Sequence, residues 1–287
     1  MAGAVDVREK AFLTSREVRE LNFIRDTGKF FFRRHNHQGL RSHIFEILDA
    51  ASVQREHNGI EIDGYRRYPR ALPKYVLRIF RSKFNSPEEA FAEISRYSIV
   101  LRFLGPELIA QSSEFIVDYI HAEKKEITLC GIQEFVDGSV LNPWQLPVST
   151  SLDLLYQGSI AAKGKTHPAM LARYSIQEFI RRTLVMIIEA GYIPDLAGHG
   201  NLLFCRNGTL KLVDINNIIK VALHDRITLD DKGYPSCDKS IEALSLLIKR
   251  FLPEKQFPGQ DILDHFLSES RMAKVQQLEK DFYHSFH

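Results

Sequence analysis

The chain has 287 residues, 44% of them hydrophobic, with 38 Lys plus Arg against 36 Asp plus Glu. That length supports one large domain or two closely packed lobes, and a net charge near zero gives no electrostatic argument for nucleic acid or an anionic membrane. Cys130, Cys205 and Cys237 are widely spaced and lack CxxC spacing, which argues against a disulfide framework and a zinc site and fits a reducing compartment. The opening MAGAVDVREKAFLTS carries charges where a signal peptide needs an apolar core, and no apolar run approaches the roughly 18 residues of a membrane span. A cytoplasmic protein without a membrane span is the expectation.

Residues 1–58 are rich in Arg, His and Phe, and Phe30–Arg34 reads as a half-buried helical or mixed element of an N-terminal extension or the start of a strand-rich lobe. From Gly59 to Val136 the pattern sharpens. Lys74–Phe80 is β-branched and aromatic, as a strand requires. Ser86-Pro-Glu-Glu89 supplies an N-cap, a proline at the first helical position and early acids, and predicts a helix to about Phe103, broken at Gly105-Pro106. Short strands are predicted at Leu108–Ala110, Phe115–His121 and Ile127–Val136.

Asp137-Gly138, Pro143 and Pro147 mark a boundary, and residues 137–287 read as a mainly helical lobe. A helix from about Tyr174 to Ala190 ends at Gly191, placed as a C′ glycine. Arg206-Asn-Gly208 predicts a tight hairpin between Leu202–Cys205 and Thr209–Val213, because Asn-Gly tolerates positive φ. Helices are expected at 238–251 and 261–282. Strands with one helix, then helices with one hairpin, indicate an α+β chain of two lobes.

The most informative stretch is Gly191-Tyr-Ile-Pro-Asp195-Leu-Ala-Gly-His-Gly-Asn201, followed by the hairpin and Leu212-Val-Asp214-Ile-Asn216. It places Asp195, Asn201 and Asp214 on irregular backbone around a hairpin. Hard oxygen ligands of this kind suit Mg²⁺, whose remaining positions water and phosphate fill, and a further Asp can orient a hydroxyl or take its proton. Asp and Asn in glycine-rich loops also simply cap turns.

This constellation resembles the protein-kinase-like superfamily, including its small-molecule and bacterial branches. That family's catalytic loop, H-x-D-x-x-x-x-N, is followed thirteen residues after its Asn by the Asp of D-F-G, and Asn201 to Asp214 is also thirteen. The resemblance implies a bilobal fold with a strand-rich N-lobe and a mainly helical C-lobe, ATP and Mg²⁺ as cofactors, Asn201 and Asp214 as metal ligands, and Asp195 as the base. Asp195 stands six residues before Asn201 instead of five, without the His of H-R-D; either Gly198 and Gly200 let the loop bulge, or His199 takes the role. Arg78 stands for the strand lysine of V-A-I-K, with Glu93 as its helix partner, although an Arg fork is not equivalent to an ammonium. Lys74, on the same strand face, reads as an edge charge, and Glu89 as a first-turn acid favourable to the helix dipole.

By the same resemblance Gln133, Glu134 and Phe135 form the hinge that meets the nucleotide base, and Asp238 is the buried Asp that opens a central helix and anchors the catalytic loop, or else a helix N-cap. Residues 139–172, with Trp144, are expected to shape acceptor choice. No glycine-rich phosphate loop is found at Gly59–Gly64. The implied reaction is transfer of the γ-phosphate to a hydroxyl on a protein or small molecule; the alternative is a pseudokinase that binds nucleotide or another protein.

Overall fold

The computed structural model describes residues 5–25, 28–36, 41–146, 168–252 and 257–284. The chain is mixed α+β and divides into two units, Met1–Ile94 with Gln111–Phe135, and Ser95–Ala110 with Val136–His287.

The first unit is built on a five-stranded antiparallel sheet. Its strands are β1 (Phe30–Arg34), β2 (Ser42–Asp49), β5 (Tyr75–Phe80), β7 (Lys124–Glu134) and β6 (Ser112–His121), in that spatial order. Residues 1–58 therefore supply two strands of the same sheet that holds Arg78, and Phe30–Arg34 is an edge strand. Period-two alternation turns Leu77 and Ile79 of β5, Phe45 and Ile47 of β2 and Cys130 of β7 into one apolar cluster. Val7, Leu13, Val18 and Leu21, around the short helix α1 (Ser15–Arg19), belong to the same cluster. Polar ties hold this N-terminal strap. Val7 N donates to Tyr119 Oη at 3.2 Å, His43 Nε2 donates to Val7 O at 2.8 Å, and Asn22 Nδ2 donates to Asp118 O at 2.7 Å. Asp49 caps α2 (Ala50–Asn58) by accepting from Ser52 N. The hairpin of β3 (Ile60–Ile62) and β4 (Tyr65–Arg67) follows.

Helix α3 (Pro87–Leu104) begins where the Ser86 signal puts it: Glu89 N donates to Ser86 Oγ, and the Glu89 carboxylate accepts from Asn85 N. Glu89 is thus a capping acid, as its first-turn position implies.

The second unit is mainly helical, with α4 (Pro168–Ala190), α5 (Ser236–Phe251), α6 (Gln260–Phe266) and α7 (Glu269–His284). Ile176, Phe179 and Ile180 of α4 and Ile241, Leu244 and Leu247 of α5 join Val100 and Leu104 of α3 in one buried cluster. Gly191 ends α4 with φ of +69°, and its N–H bonds Ile187 O, the left-handed stop its position suggested. The predicted hairpin is present as β10 (Leu202–Cys205) and β11 (Leu210–Leu212), with β8 (Gly138–Val140) on its other side. A separate ladder joins β9 (Tyr192–Pro194) to β12 (Ile218–Lys220).

Three expectations are corrected. Leu108–Ala110 is not a strand; Ile109 makes a single parallel bridge to Leu212, in which Ala110 N donates to Leu212 O and Leu212 N to Leu108 O. The predicted helix at 261–282 is two helices that break around Leu267 and Ser268. Asp238 is not an N-cap, since α5 already starts at Ser236 and Pro235 occupies the cap. Among the described residues, no helix is long and apolar enough to cross a membrane.

Candidate functional site

In the second unit, the site residues sit where two small ladders end. β9 runs into Asp195 and pairs antiparallel with β12, with Ile218 opposite Pro194. This register continues one step, so that Asp195 N donates to Asn217 O at 2.9 Å. The following loop is tied at Leu196, whose N–H donates to the buried Ser240 Oγ of α5 at 3.1 Å. At its far end Val213 N donates to Asn201 O at 2.9 Å, which extends the β10–β11 ladder and leaves Asp214 as the next residue. Leu210 N donates to Ser175 Oγ of α4 at 2.8 Å. Two helices thus hold the loop and the hairpin by backbone–hydroxyl bonds.

These ties bring Asp195, Asn201 and Asp214 together. Asn201 Nδ2 donates to the backbone oxygen of Asp195 at 2.9 Å, which fixes the orientation of the amide and leaves Oδ1 as its acceptor. Asp195 Oδ1 accepts from Ala197 N at 3.0 Å and Gly198 N at 3.2 Å, and Oδ2 accepts from Asn217 Nδ2 at 2.7 Å. Burial raises the Asp195 carboxyl, and the charge of Asp214 raises it further, to about 6, against the opposing pull of the two backbone N–H groups.

The six-residue spacing has a structural basis. Gly200 adopts φ of +87°, a left-handed conformation that side chains avoid. Gly198 is closed to side chains for a different reason: a Cβ there would stand 2.4 Å from Asn201 Nδ2. His199 between them is exposed, while Asp195 carries the hydrogen bonds described above.

Asn201 Oδ1 and the half-buried Asp214 carboxylate are hard oxygen donors of the kind Mg²⁺ takes, with phosphate and water completing the shell. Among the described residues no group of three or more His, Cys, Asp or Glu could hold a metal by itself.

In the first unit, Arg78 is buried in the sheet. It lies opposite Gly131 of β7, and Gly131 lies opposite Glu114 of β6. Strands two apart are separated by roughly 10 Å, a gap that the absent side chain of Gly131 lets Arg78 and Glu114 cross. Arg78 Nη1 stands 3.9 Å from Glu114 Oε1, with the side chains 8% and 1% exposed. A Cβ at Gly131 would come within 2.8 Å of both carboxylate oxygens. Arg78 Nη1 also lies 3.5 Å from Gln133 Oε1, and the guanidinium covers the Phe80 ring at 5.0 Å. Glu93 is a half-buried residue of α3. Glu134 ends β7 and accepts from Gln111 N through Oε2, and Phe135 follows just beyond the strand. Lys74 is exposed immediately before β5.

The structure therefore groups Asp195, Asn201 and Asp214 in one unit, and Arg78 with Gln133 in the other. Asp238 is buried, but its carboxylate binds Arg271, at 2.5 Å to Nε and 3.2 Å to Nη2; the loop's helix anchor is Ser240, two residues later. Of the acceptor segment 139–172, residues 147–167 lie outside the described residues. Trp144, inside them, stacks under Lys239 Nζ at 4.3 Å.

Sequence reasoning missed Glu114, Gly131, Asn217 and Ser240. A lone glycine within the apolar run Ile127–Ile132 was a readable sign of close approach; Asn217 and Ser240 carried no local signal. Comparison with protein-family models gives no match, and no curated protein matches the chain.

Proposed function

We propose that this chain is a divergent kinase-like phosphotransferase that binds ATP with Mg²⁺ and passes the γ-phosphate to a hydroxyl acceptor on a protein or small molecule. The observation that carries the reading is the tie of Asn201 to Asp195 beside Asp214, at the open end of the β10–β11 hairpin. A strand-rich first unit and a mainly helical second unit also agree with the bilobal architecture this reading expects. In it, Asn201 Oδ1 and Asp214 hold the metal, and Asp195 orients the acceptor hydroxyl and takes its proton. Bound Mg²⁺ would neutralise charge on the triphosphate. Positioning and electrostatic stabilisation supply most of the rate gain in such chemistry.

A second reading, nucleotide binding without transfer, is favoured by one feature: both Asp195 oxygens already accept hydrogen bonds from the protein. Thermal unfolding with ATP and Mg²⁺, followed by turnover of separately labelled α- and γ-phosphate, decides between them. A site filled at about 100 times Kd adds about 2.7 kcal/mol of stability. Asp214→Asn is expected to remove the Mg²⁺-dependent part of that gain. Asp195→Ala should leave it in place and lower turnover by about 10²–10⁴-fold. Stabilisation without any labelled product establishes the binding module, transfer of α-phosphate establishes nucleotidyl transfer, and no stabilisation by any nucleotide overturns both readings.

A further inference from the structure

The near-neutral charge of the whole chain conceals a local imbalance. Residues 64–75, Gly-Tyr-Arg-Arg-Tyr-Pro-Arg-Ala-Leu-Pro-Lys-Tyr, contain Arg66, Arg67, Arg70 and Lys74 and no acid. They begin at the β3–β4 hairpin, whose two-residue turn places Asp63 at φ of 52° and Gly64 at φ of 78°. Positive φ at both central positions makes the tight turn whose twist matches a β ribbon, so the hairpin presents a defined surface.

Register divides that surface. Ile60 lies opposite Arg67 and Ile62 opposite Tyr65, which puts Tyr65 and Arg67 on one face; Glu61 lies opposite Arg66 on the other. Arg66 folds its aliphatic stem back toward Gly59. The Tyr65–Arg67 face carries no acid, and Tyr68 and Arg70 follow it directly. Tyr65 is 73% exposed and Tyr68 62%, and both arginines are exposed. Among the described residues, the side chains of Tyr65, Arg67, Tyr68 and Arg70 make no hydrogen bond, ion pair or ring contact. Folding therefore leaves two large aromatic rings and two guanidinium groups open at the surface.

We infer that this hairpin face binds single-stranded nucleic acid. Exposed arginines interleaved along the chain with open tyrosine rings match a ligand that alternates anions with flat π-faces. An acidic peptide satisfies the arginines alone and leaves the rings without a partner. A membrane surface wants a broad apolar face beneath its cations, whereas the aliphatic side chains of this face are limited to the half-buried Ile60 and to Ile62, 37% exposed. The inference is independent of the phosphotransferase reading.

Fluorescence anisotropy of the full chain with a labelled oligouridylate of about 12 nucleotides tests it, beside the matching oligodeoxythymidylate, polyglutamate and anionic phospholipid vesicles. Binding of either oligonucleotide is expected, weakening as salt rises. Tyr65→Ala with Tyr68→Ala should weaken it by about tenfold or more, since stacking on each ring contributes substantially. Arg67→Ala with Arg70→Ala should reduce the slope of log K against log salt by about 1.4 in magnitude. These four side chains have no internal partner, so the variants should keep the circular dichroism and melting temperature of the parent. The inference is overturned by no oligonucleotide binding at about 50 mM salt, by binding indifferent to the tyrosine changes, or by polyglutamate or vesicles binding as tightly as either oligonucleotide.

Discussion

Arg78 is buried and Asp195 half-buried, and each is held in place by neighbouring groups, yet the means differ. Arg78 is fixed by sheet register: Gly131 opposite it leaves room, and Glu114 one strand further supplies the charge. Asp195 is fixed by irregular backbone, with its carboxylate satisfied by two loop N–H groups and by Asn217. The first arrangement is a property of a regular lattice, in which one residue's environment follows from its strand and row. The second exists only when separate segments, near 195, 201 and 217, arrive together. Perturbation of the lattice should therefore cost stability, and perturbation of the loop should show mainly in proton affinity and local order.

The largest expected effect on stability lies in the lattice. Arg78→Met leaves Glu114 as a buried carboxylate without its guanidinium neighbour, a type of change that costs about 3–5 kcal/mol. Adding Glu114→Gln to that variant removes the charge and should recover part of the loss. Denaturant unfolding of the two single variants and the double variant measures this directly. Additive losses would mean that Arg78 and Glu114 do not act as a pair, and the lattice account would fail.

The loop is probed next through its proton. The Asp195 carboxyl rises to about 6 from 3.8, so the folded chain holds a proton that the unfolded chain releases between about pH 4 and pH 6. This group's contribution to stability is full below the unfolded value and is lost as pH rises through the folded one. Melting temperatures of the parent minus those of Asp195→Asn should accordingly fall as pH increases from 4 to 6. Any constant offset from altered hydrogen bonds leaves that slope untouched. A divalent cation on Asp214 would cancel one of the charges responsible and move the fall to lower pH. A difference that is flat with pH would show that Asp195 is not shifted.

These two contrasting sites also explain what the sequence disclosed. The β-branched run of β5, the cap at Ser86, the stop at Gly191 and the Asn-Gly hairpin are local signals, and each element formed where it was expected. Asn201 and Asp214 were legible for the same reason: a hairpin of readable length joins them, so spacing alone brings them together. Residues 1–58 were not read as sheet, because β1 and β2 become strands by pairing with each other and with β5, not by a local pattern strong enough to stand alone. Glu114 was missed because its significance depends on a glycine in a neighbouring strand and an arginine in the strand beyond. Ser240 and Asn217 were missed because a single long-range hydrogen bond leaves no periodicity.

Two glycines sharpen the comparison further. A Cβ at Gly131 meets the end of the Glu114 side chain at 2.8 Å, and one at Gly198 meets Asn201 Nδ2 at 2.4 Å. Overpacking of this kind costs about 1–3 kcal/mol. Gly131→Ala should lie at the upper end of that range, because Glu114 is buried and has nowhere to turn. Gly198→Ala should lie lower, because the half-buried Asn201 amide can rotate away at the cost of its bond to Asp195 O. The distinguishing readout is ligand-dependent stabilisation: Gly198→Ala should weaken Mg²⁺-dependent nucleotide binding beyond what Gly131→Ala does. The reverse order would count against Asn201 as a metal ligand.

The smallest effect is expected at Asn217, and it tests whether the loop is held or merely touched. Asn217 meets Asp195 twice, through its backbone oxygen at 2.9 Å and its side-chain Nδ2 at 2.7 Å. Asn217→Ala removes only the second bond and keeps the β9–β12 ladder. A hydrogen bond to a charged group contributes about 1.5–3 kcal/mol when buried; Asn217 and Asp195 are only partly buried, so a loss of about 1 kcal/mol is expected. Loss of the donor leaves Asp195 Oδ2 unpaired while the two N–H groups still grip Oδ1, so the carboxylate can swing about that anchor. If Asp195 serves an acceptor hydroxyl, turnover should drop while nucleotide-induced stabilisation stays near the parent value. Asn217→Ser, which can restore a donor through a bridging water, should recover part of the turnover. Equal loss of turnover and nucleotide stabilisation in Asn217→Ala, without recovery in the serine variant, would show that the residue supports the loop as a whole and does not position Asp195.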